Sequence, residues 1–451
     1  MQISNNISSI KSTPIICLFL SLWLVWESCY GLLQIVGEVR SKHVLFPMTG
    51  HFDNPGPLGG FLAMLVAICA AFFWDTVKQG GRKSWIAWVC ISAATIGFIL
   101  LPSSLSRAGW LGLFAALLVL VVKDNTIKER IGWKPGYWII MSIMLFCACI
   151  GCFLLKKDSA LGRFHIWHME SLSILSSPWE GCGYGRFLNC YGETQHNYFA
   201  SGNRATWEIR VAGCPEYAFN EYLKAGVEWG IPGLVLAVGI ALLVCIILVK
   251  NNNPLGYGAV SLSVFSFFSY PMSIWQFQIC SGLFVIAAFC ELTSHGGKWI
   301  LLVVLLPFLA YITNYKNRFN RPSDYRLVYQ HGYQLFQEGQ YDNAIEVLQE
   351  GVSLSCDPMF HNIIGRCYEA TGRLSEAEIE YWHSHYMVPG RLYPLVLLQE
   401  MYLSNRDTMN AEKAYSIIAD IPVNHRNSNM KALRERADNN HQQSLLNNKS
   451  L

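Results

Sequence analysis

The chain has 451 residues, of which 52% are hydrophobic and only 14% are charged. Soluble globular proteins carry about 25% charged residues, so this composition excludes a chain that lies wholly in water. The formal net charge of +3 comes without a basic, aromatic-rich cluster, and nucleic acid is therefore not an expected partner. Apolar residues dominate 14–314, whereas 321–451 is polar with a helical pattern, so we predict a membrane domain followed by a soluble region.

The apolar blocks predict the number of membrane crossings. A helix needs about 20 mostly apolar residues to cross the hydrocarbon core of a bilayer. About nine blocks qualify, at 14–36, 57–75, 84–102, 107–122, 137–155, 231–249, 255–272, 275–290 and 298–314. The interruption at 156–219 is too polar to span and is predicted to be one large loop. The expected fold class is all-α, with a polytopic transmembrane domain at 1–320 that includes this loop and a soluble helical-repeat domain after it.

Basic residues orient the predicted helices, because cytoplasmic loops of membrane proteins are enriched in Lys and Arg. With the N-terminus in the cytoplasm, ten basic residues fall on the inside: Lys11, Lys78, Arg82, Lys83, Lys123, Lys128, Arg130, Lys134, Lys250 and Lys298. The short outside loops hold three, which are Arg40, Lys42 and Arg107. This bias places the large loop, the C-terminal region and Arg107 at the outer face.

Small residues recur in the C-terminal region with a period of 33 residues. Gly332, Gly339 and Ala344 return as Gly365, Gly372 and Ala377. This pattern in 321–436 resembles tetratricopeptide repeats, with a third and more divergent copy at 391–424. Stacked helix pairs of that kind form a concave surface, which we expect to bind a partner molecule such as another protein. Residues 437–451 are predicted to be a disordered tail.

The fifteen cysteines predict no metal site, because most of them lie inside apolar runs, where a thiol behaves as a small hydrophobic group. Cys182, Cys190 and Cys214 share the large loop, where one disulfide can form.

Arg107 is the most informative single residue, since it stands between two apolar runs in "SLSRAGWLGLFAALLVL" at 104–120. A charge at the bilayer centre costs about 2.5–3.5 kcal/mol on insertion scales, so such residues usually have a function. The alternative is an anchor at a helix end whose side chain reaches the membrane surface. Two further polar stretches accompany it: "TGHFDNPGPLGGFLA" at 49–63 and the large loop itself.

Together the three stretches resemble the O-antigen ligase and polymerase family of bacterial membrane glycosyltransferases, which includes protein O-oligosaccharyltransferases. The resemblance covers about residues 45–290. The matching residues are Phe52, Asn54, Pro55, Ser106, Arg107, Arg163, Trp167, Pro178, Gly181, Gly183, Gly185, Phe187, Asn220, Leu223, Gly230 and Gly233. The chain departs from the family in having Phe219 where a His usually precedes the Asn, and in having fewer predicted helices.

The resemblance implies transfer of a glycan from a polyprenyl pyrophosphate to an acceptor hydroxyl at the periplasmic face of the bacterial inner membrane. Arg107 and Arg163 would bind the pyrophosphate without a metal or cofactor. The candidate bases are His196, Glu216 and Glu221, with His165 and His168 as weaker alternatives. Trp167, Gly183 and Asn220 would shape the loop and contact the glycan. The acceptor is a lipid-core glycan, a growing polymer or a protein.

Other interpretations of these residues and of the whole chain stay open. Arg163 could pair with Asp158, and the candidate bases could be ordinary surface or loop residues. A glycolipid transporter would also be polytopic, although it is expected to contain internally repeated helix groups. A membrane-anchored repeat scaffold without catalytic activity is the third alternative.

Overall fold

The computed structural model describes residues 3–81, 83–126, 129, 157–202, 204–294, 324–422 and 427–449. Over these residues the chain forms seventeen α-helices and no strand, which confirms the all-α class. The helices are α1 (Ile3–Val36), α2 (Pro55–Lys78), α3 (Trp85–Leu100), α4 (Arg107–Lys123), α5 (Lys157–Ser176), α6 (Phe187–Ala200), α7 (Thr206–Val211), α8 (Glu221–Lys250), α9 (Leu255–Phe268), α10 (Trp275–Ser294), α11 (Tyr325–Gln337), α12 (Tyr341–Val352), α13 (Met359–Ala370), α14 (Leu374–Met387), α15 (Tyr393–Ser404), α16 (Thr408–Asp420) and α17 (Ser428–Lys449). Two short 3-10 turns occupy Leu101–Ser104 and Pro271–Ser273.

Five described segments are long and apolar enough to cross a membrane: Thr13–Val36, Pro55–Lys78, Trp85–Ser104, Glu221–Lys250 and Trp275–Thr293. The chain is therefore a multi-pass membrane protein. Two further predicted spans correspond to the shorter helices α4 and α9, of 17 and 14 residues. The predicted spans at 137–155 and 298–314 lie outside the described residues, as do Arg82, Lys128, Arg130, Lys134 and Lys298.

The chain divides into two compact units. The first is drawn from Met1–Lys156, Phe219–Ala225 and Gly233–Tyr315, and the second from Lys157–Ala218, Gly226–Pro232 and Lys316–Leu451. The sequence-based domain at 1–320, which includes the large loop, stays a prediction, and the contacts divide the chain differently. The loop helices α5, α6 and α7 belong to the same compact unit as the C-terminal helices.

Helix α2 is the centre of the first unit, where it packs against α1, α3, α4 and α9. In the most apolar stretch of α2, 83% of the residues are buried, compared with 17% in the corresponding stretch of α8. A helix that is apolar on all sides can be covered by protein or by lipid. The difference in burial indicates that protein surrounds α2, whereas most of the apolar stretch of α8 can contact lipid.

Glycines let α2, α4 and α9 approach until their backbones touch. A Cβ on Gly109 would lie 2.6 Å from the Gly59 carbonyl oxygen, and one on Gly112 would lie 2.7 Å from the Ser261 carbonyl oxygen. The ring of Phe265 lies directly against Gly60. Small residues commonly permit this kind of close helix packing in membranes.

The second unit is held together by contacts between residues far apart in sequence. A disulfide joins Cys214 of the loop to Cys356, which precedes α13. The predicted alternatives for a disulfide lay within the loop, and the structure pairs Cys214 with a cysteine 142 residues away. The side-chain amide of Asn189 on α6 donates to the carbonyl of Val352 at 3.0 Å.

The buried amide of Gln195 is a second connection in this unit. It donates to the carbonyl oxygens of Gly213 and Met387, and it accepts a hydrogen bond from the Tyr191 hydroxyl at 2.8 Å. Burying an amide is favourable only when its hydrogen bonds are satisfied. Gln195 therefore ties the loop helix α6 to the end of α14.

The 33-residue period appears as equivalent packing in successive helix pairs. Gly332 of α11 lies against Leu348 of α12, and Gly365 of α13 lies against Tyr381 of α14. At the equivalent positions α15 and α16 carry Leu398 and Ala414, both fully buried. The small residue has moved to the second helix, which explains why the third copy is harder to see in the sequence. The assignment to the tetratricopeptide class stays a prediction.

The predicted disordered tail is instead part of a helix, because α17 continues to Lys449. Ala437 is fully buried, and its carbonyl accepts a hydrogen bond from Gln399 at 3.2 Å. The Tyr415 hydroxyl donates to Asp438 at 3.0 Å. Ala437 and Asp438 therefore pack against other helices, although the composition of this segment is polar.

Replacing Gly109 with alanine is expected to lower the free energy of unfolding by about 1–3 kcal/mol, because the added methyl group would push α4 away from α2. Gly282 on α10 has nothing within 4 Å of the equivalent methyl position, so Gly282→Ala is the matched control. Thermal unfolding of the detergent-purified protein measures both changes. Indistinguishable melting temperatures for the two variants would contradict the proposed contact.

Removing the disulfide with Cys214→Ala and Cys356→Ala together is expected to lower the stability of the second unit by about 2–4 kcal/mol. The exposed Cys290 provides the control, as Cys290→Ser leaves the bridge intact. Mass spectrometry of unreduced peptides should recover a linked pair containing Cys214 and Cys356. Failure to find that pair in oxidised protein would refute the connectivity.

Candidate functional site

Three helices of the first unit begin with a polar side chain that caps them. Asn54 accepts from the amide of Gly56 at 3.0 Å, and Ser106 accepts from the amide of Gly109 at 3.2 Å. Asn220 accepts from the two amides that follow Glu221, at 3.0 and 3.1 Å. Caps of this type satisfy amides that the helix leaves unpaired at its start. The positive end of each helix dipole lies at the same place.

The starts of α2 and α4 are joined directly, and the motifs around them therefore form one structural feature. The Ser106 hydroxyl donates to the carbonyl of Gly56 at 2.9 Å, in addition to capping α4. The two helices also meet through Gly59 and Gly109. The stretches 49–63 and 104–110 are separate in sequence, and these contacts bring them together.

The start of α8 lies at the same end of the first unit. The Tyr222 hydroxyl donates to the carbonyl of Ser263 on α9 at 2.9 Å. Two residues later on α9, Phe265 lies against Gly60 in the early part of α2. Three helix starts, with their positive dipole ends, are therefore gathered at one end of the unit.

The opposite end of the unit carries basic residues. Lys78 at the end of α2 pairs with Asp124 at 2.8 Å, and Lys123 donates to the carbonyl of Val249. Lys250 ends α8. The sequence-based orientation assigned these lysines to the cytoplasmic side, and the structure places them together at one end.

Arg107 is the first residue of α4 and is half-buried. Leu105, two residues before it, has a left-handed φ of 50°, which turns the chain sharply into the helix. A positively charged side chain at the start of a helix is repelled by the positive end of the helix dipole, which destabilises the helix by about 0.3–1 kcal/mol. Helix starts are instead ready-made sites for anions. An arginine added to such a site increases its attraction for an anion.

The approach to α2 is fixed by buried groups. Phe52 packs against Phe61 and Phe277, with ring centroids 5.5 and 6.1 Å away. The buried carboxylate of Glu27 accepts from the backbone amide of His51 at 3.3 Å and lies 3.1 Å from Nδ1 of the same residue. These contacts hold the chain in place just before Asn54 caps α2.

Phe219 occupies the position where related proteins usually have His. Its φ of 54° is left-handed, and its ring meets Tyr270 edge-on at 5.3 Å. A phenyl ring cannot accept a proton, so no base acts from this position. The following Asn220 is 1% exposed, and its side chain caps α8. The predicted contact between Asn220 and the glycan stays a prediction.

Glu221 is the candidate base that lies in the first unit. Its Oε1 accepts a hydrogen bond from the backbone amide of Met272 at 2.7 Å. This bond fixes the direction of the carboxylate at the start of α8. Glu221 thus lies at the same end of the unit as Arg107.

The other candidate bases lie in the second unit and have partners there. Glu216 forms an exposed ion pair with Arg326. His196 stacks on His383 with ring centroids 3.9 Å apart. Burial and the neighbouring His383 hold the pKa of His196 below its usual range, so its ring is neutral at pH 7. Of the weaker alternatives, buried His165 lies 2.9 Å from the Gln195 carbonyl oxygen.

Arg163 and Trp167 lie one turn apart on the same face of α5, and both are half-buried. Asp158, the alternative partner predicted for Arg163, pairs with Arg210 at 3.0 Å. Arg107 belongs to the first unit and Arg163 to the second. Joint binding of one pyrophosphate by the two arginines stays a prediction.

The glycines that follow Pro178 form a turn around a buried carboxylate that the sequence analysis missed. Gly181, Gly183 and Gly185 all have positive φ, between 65° and 92°. The amide of Gly183 donates to the Glu228 carbonyl at 3.0 Å, and the amide of Gly185 donates to its carboxylate at 2.9 Å. Glu228 is 4% exposed. The backbone of α8 leaves helical geometry at Gly230, where φ is 69°. An acidic residue two positions before this glycine is the sequence feature that could have pointed to Glu228.

Residues 92–238 match the family model described as O-antigen ligase. This match confirms the resemblance of this part of the chain to the O-antigen ligase family. The matched range contains all eight candidate residues, which are Arg107, Arg163, Trp167, Gly183, His196, Glu216, Asn220 and Glu221. That family implies an enzyme of the glycosyltransferase type in general. Comparison with curated protein sequences gave no match.

Proposed function

We propose that this O-antigen ligase family member transfers a glycan from a polyprenyl pyrophosphate to an acceptor hydroxyl at the outer face of the bacterial inner membrane. The observation that carries the proposal is the position of Arg107 at the joined starts of α2 and α4, inside the matched segment. A lipid-linked pyrophosphate is an anion that reaches the membrane surface, which is where such a site is useful.

Electrostatics provide the catalytic advantage. As the bond between sugar and phosphate breaks, negative charge grows on the departing pyrophosphate. The guanidinium of Arg107 and the positive ends of α2 and α4 are already oriented before this charge appears, so they stabilise the transition state without reorganising. The planar guanidinium also matches the geometry of phosphate oxygens, which a point charge does not.

The transfer is a single displacement in which the bonds and charges balance. The acceptor oxygen attacks the anomeric carbon, the bond from that carbon to the phosphate oxygen breaks, and the pyrophosphate leaves on its lipid. The acceptor proton passes to a base. In-line attack of this kind inverts the anomeric configuration.

Glu221 is the base that we favour among the three candidates. It shares the first unit with Arg107, and the amide of Met272 orients its carboxylate. Glu216 is already paired with Arg326, and His196 is stacked against His383. Arg163 and Trp167 on α5 would contribute to donor binding from the large loop.

The Cys214–Cys356 bridge supports the placement of the second unit in the periplasm. Disulfides persist in oxidising compartments and are rare in the cytosol. The bridge also requires that the loop and the C-terminal region lie on the same side of the membrane. The excess of Lys and Arg in the predicted inside segments favours the same topology.

Arg107→Ala is expected to reduce acceptor-dependent release of polyprenyl pyrophosphate by about 10²–10³-fold, the size of effect typical for losing one preorganised charge-stabilising group. The assay uses the purified chain in proteoliposomes with a glycan-loaded lipid donor. Its acceptor panel contains a lipid-core glycan, a short polymer and a serine-rich peptide. Arg107→Lys should retain part of the activity, and Arg40→Ala, another basic residue on the predicted outer side, is the matched control.

The outcomes separate the competing functions. Release that survives Arg107→Ala would keep the transferase and remove this role of Arg107. A folded protein that releases nothing with any acceptor would instead be a scaffold or a glycolipid transporter. The acceptor that supports release identifies the protein as a lipid-core ligase, a polymerase or a protein-glycosylating enzyme.

Glu221→Gln is expected to reduce the same release by about 10²–10⁴-fold, because the amide keeps the shape of the side chain and cannot take a proton. His196→Gln and Glu216→Gln should be measured beside it at saturating donor. A larger loss in either of those variants than in Glu221→Gln would transfer the role of base to that residue.

A further inference from the structure

A cluster of imidazole and carboxylate groups lies inside the second unit, apart from the residues assigned to transfer. His361 comes from α13, His383 from α14 and Glu193 from the loop helix α6. One ligand atom from each residue lies within 4.8 Å of the others. The rings of His361 and His383 stack with centroids 4.1 Å apart, and His383 Nε2 lies 3.3 Å from Glu193 Oε1.

The tautomer of His361 is set by a second carboxylate. Its Nδ1 lies 2.7 Å from Glu380 Oε2, so Nδ1 carries the proton and donates it to the carboxylate. In the neutral ring, Nε2 then has the lone pair. His361 is only 6% exposed, and Nε2 has no hydrogen-bond partner among the described residues.

An unsatisfied buried polar atom normally destabilises a protein by about 1–3 kcal/mol, so it requires an explanation. A metal ion provides one. In metal sites a ligating histidine usually donates its other ring N–H to a carboxylate or carbonyl, which orients the ring and makes it a better ligand. The Glu380–His361 pair has this arrangement before any ion is considered.

We propose that Glu193, His361 and His383 bind a divalent transition-metal ion of the zinc class. Two imidazoles and one carboxylate form a ligand set that zinc accepts, with a water molecule in the fourth position. Because an imidazole lone pair lies in the plane of its ring, binding requires one of the two stacked rings to rotate toward the ion.

An ion pair between Glu193 and a protonated His383 explains the cluster less well. Two more imidazoles stack on the faces of the His383 ring, His361 at 4.1 Å and His196 at 3.9 Å. Moreover, the pair would leave Nε2 of His361 without a partner.

The ion would stabilise the second unit. It would connect the loop helix α6 to the helix pair α13–α14, whose ligands lie 168 and 190 residues further along the chain (361 − 193 and 383 − 193). The Cys214–Cys356 bridge joins the same parts of the chain. Metal binding to the folded state alone contributes directly to the free energy of folding. The predicted metal independence concerns glycan transfer at other residues and is not altered.

The test is a zinc titration of the full-length chain, purified in detergent and stripped with a chelator. We expect one Zn²⁺ bound per chain by calorimetry, a higher melting temperature with Zn²⁺, and tetrahedral absorption bands when Co²⁺ is used instead. Glu193→Gln and His383→Gln should each abolish this stoichiometric binding. Glu380→Gln, which removes the partner of His361, should weaken it by roughly 10–100-fold.

His441→Gln is the matched control, because His441 also pairs with a glutamate, Glu412 at 2.9 Å, and stacks on Tyr415 at 4.0 Å. This variant should bind Zn²⁺ as the parent does. Circular dichroism and detection of the Cys214–Cys356 bridge in unreduced protein establish that each variant is folded. The proposal fails if the folded parent binds no ion at equimolar Zn²⁺, or if Glu193→Gln and His383→Gln bind as tightly as His441→Gln.

Discussion

The backbone contact between Gly59 and Gly109 is the constraint on which the candidate site depends. Because neither residue has a side chain, α2 and α4 approach closely enough for Ser106 to reach the Gly56 carbonyl. Two helix starts are then adjacent, and so are the positive ends of their dipoles. Arg107 is the first residue of α4. The proposed anion site thus depends on helix packing, and Arg107 would strengthen it.

The second unit follows a different physical logic. It derives stability from side-chain contacts between distant parts of the chain. Gln195 and the Cys214–Cys356 bridge join the loop to the C-terminal helices, and the proposed metal ligands would do the same. The loop helices are therefore packed against a region more than a hundred residues away.

The sequence predicted local features well and distant pairings poorly. The helix starts at Pro55 and Arg107 lie within two residues of the predicted starts at 57 and 107, because apolar runs are formed by adjacent residues. The start at Glu221 was missed, since the predicted span there was 231–249. Glu228 was missed, since only the folded turn brings glycine amides to its carboxylate. Likewise, Cys356 lies outside the loop where a disulfide partner was sought. The polar residues of 437–449 suggested disorder until packing of Ala437 and Asp438 against neighbouring helices was seen.

By itself, the sequence determined that the chain is all-α, that it crosses a membrane several times, and that Arg107 and the loop motifs resemble those of O-antigen ligases. Periodicity, apolar length and short motifs are properties of neighbouring residues, so they can be recognised without knowledge of the fold. The tertiary structure decided which residues act together: Ser106 with Gly56, Glu221 with Met272, and Glu193 with two histidines from the C-terminal helices. These pairings depend on long-range packing of side chains, which no spacing along the chain specifies.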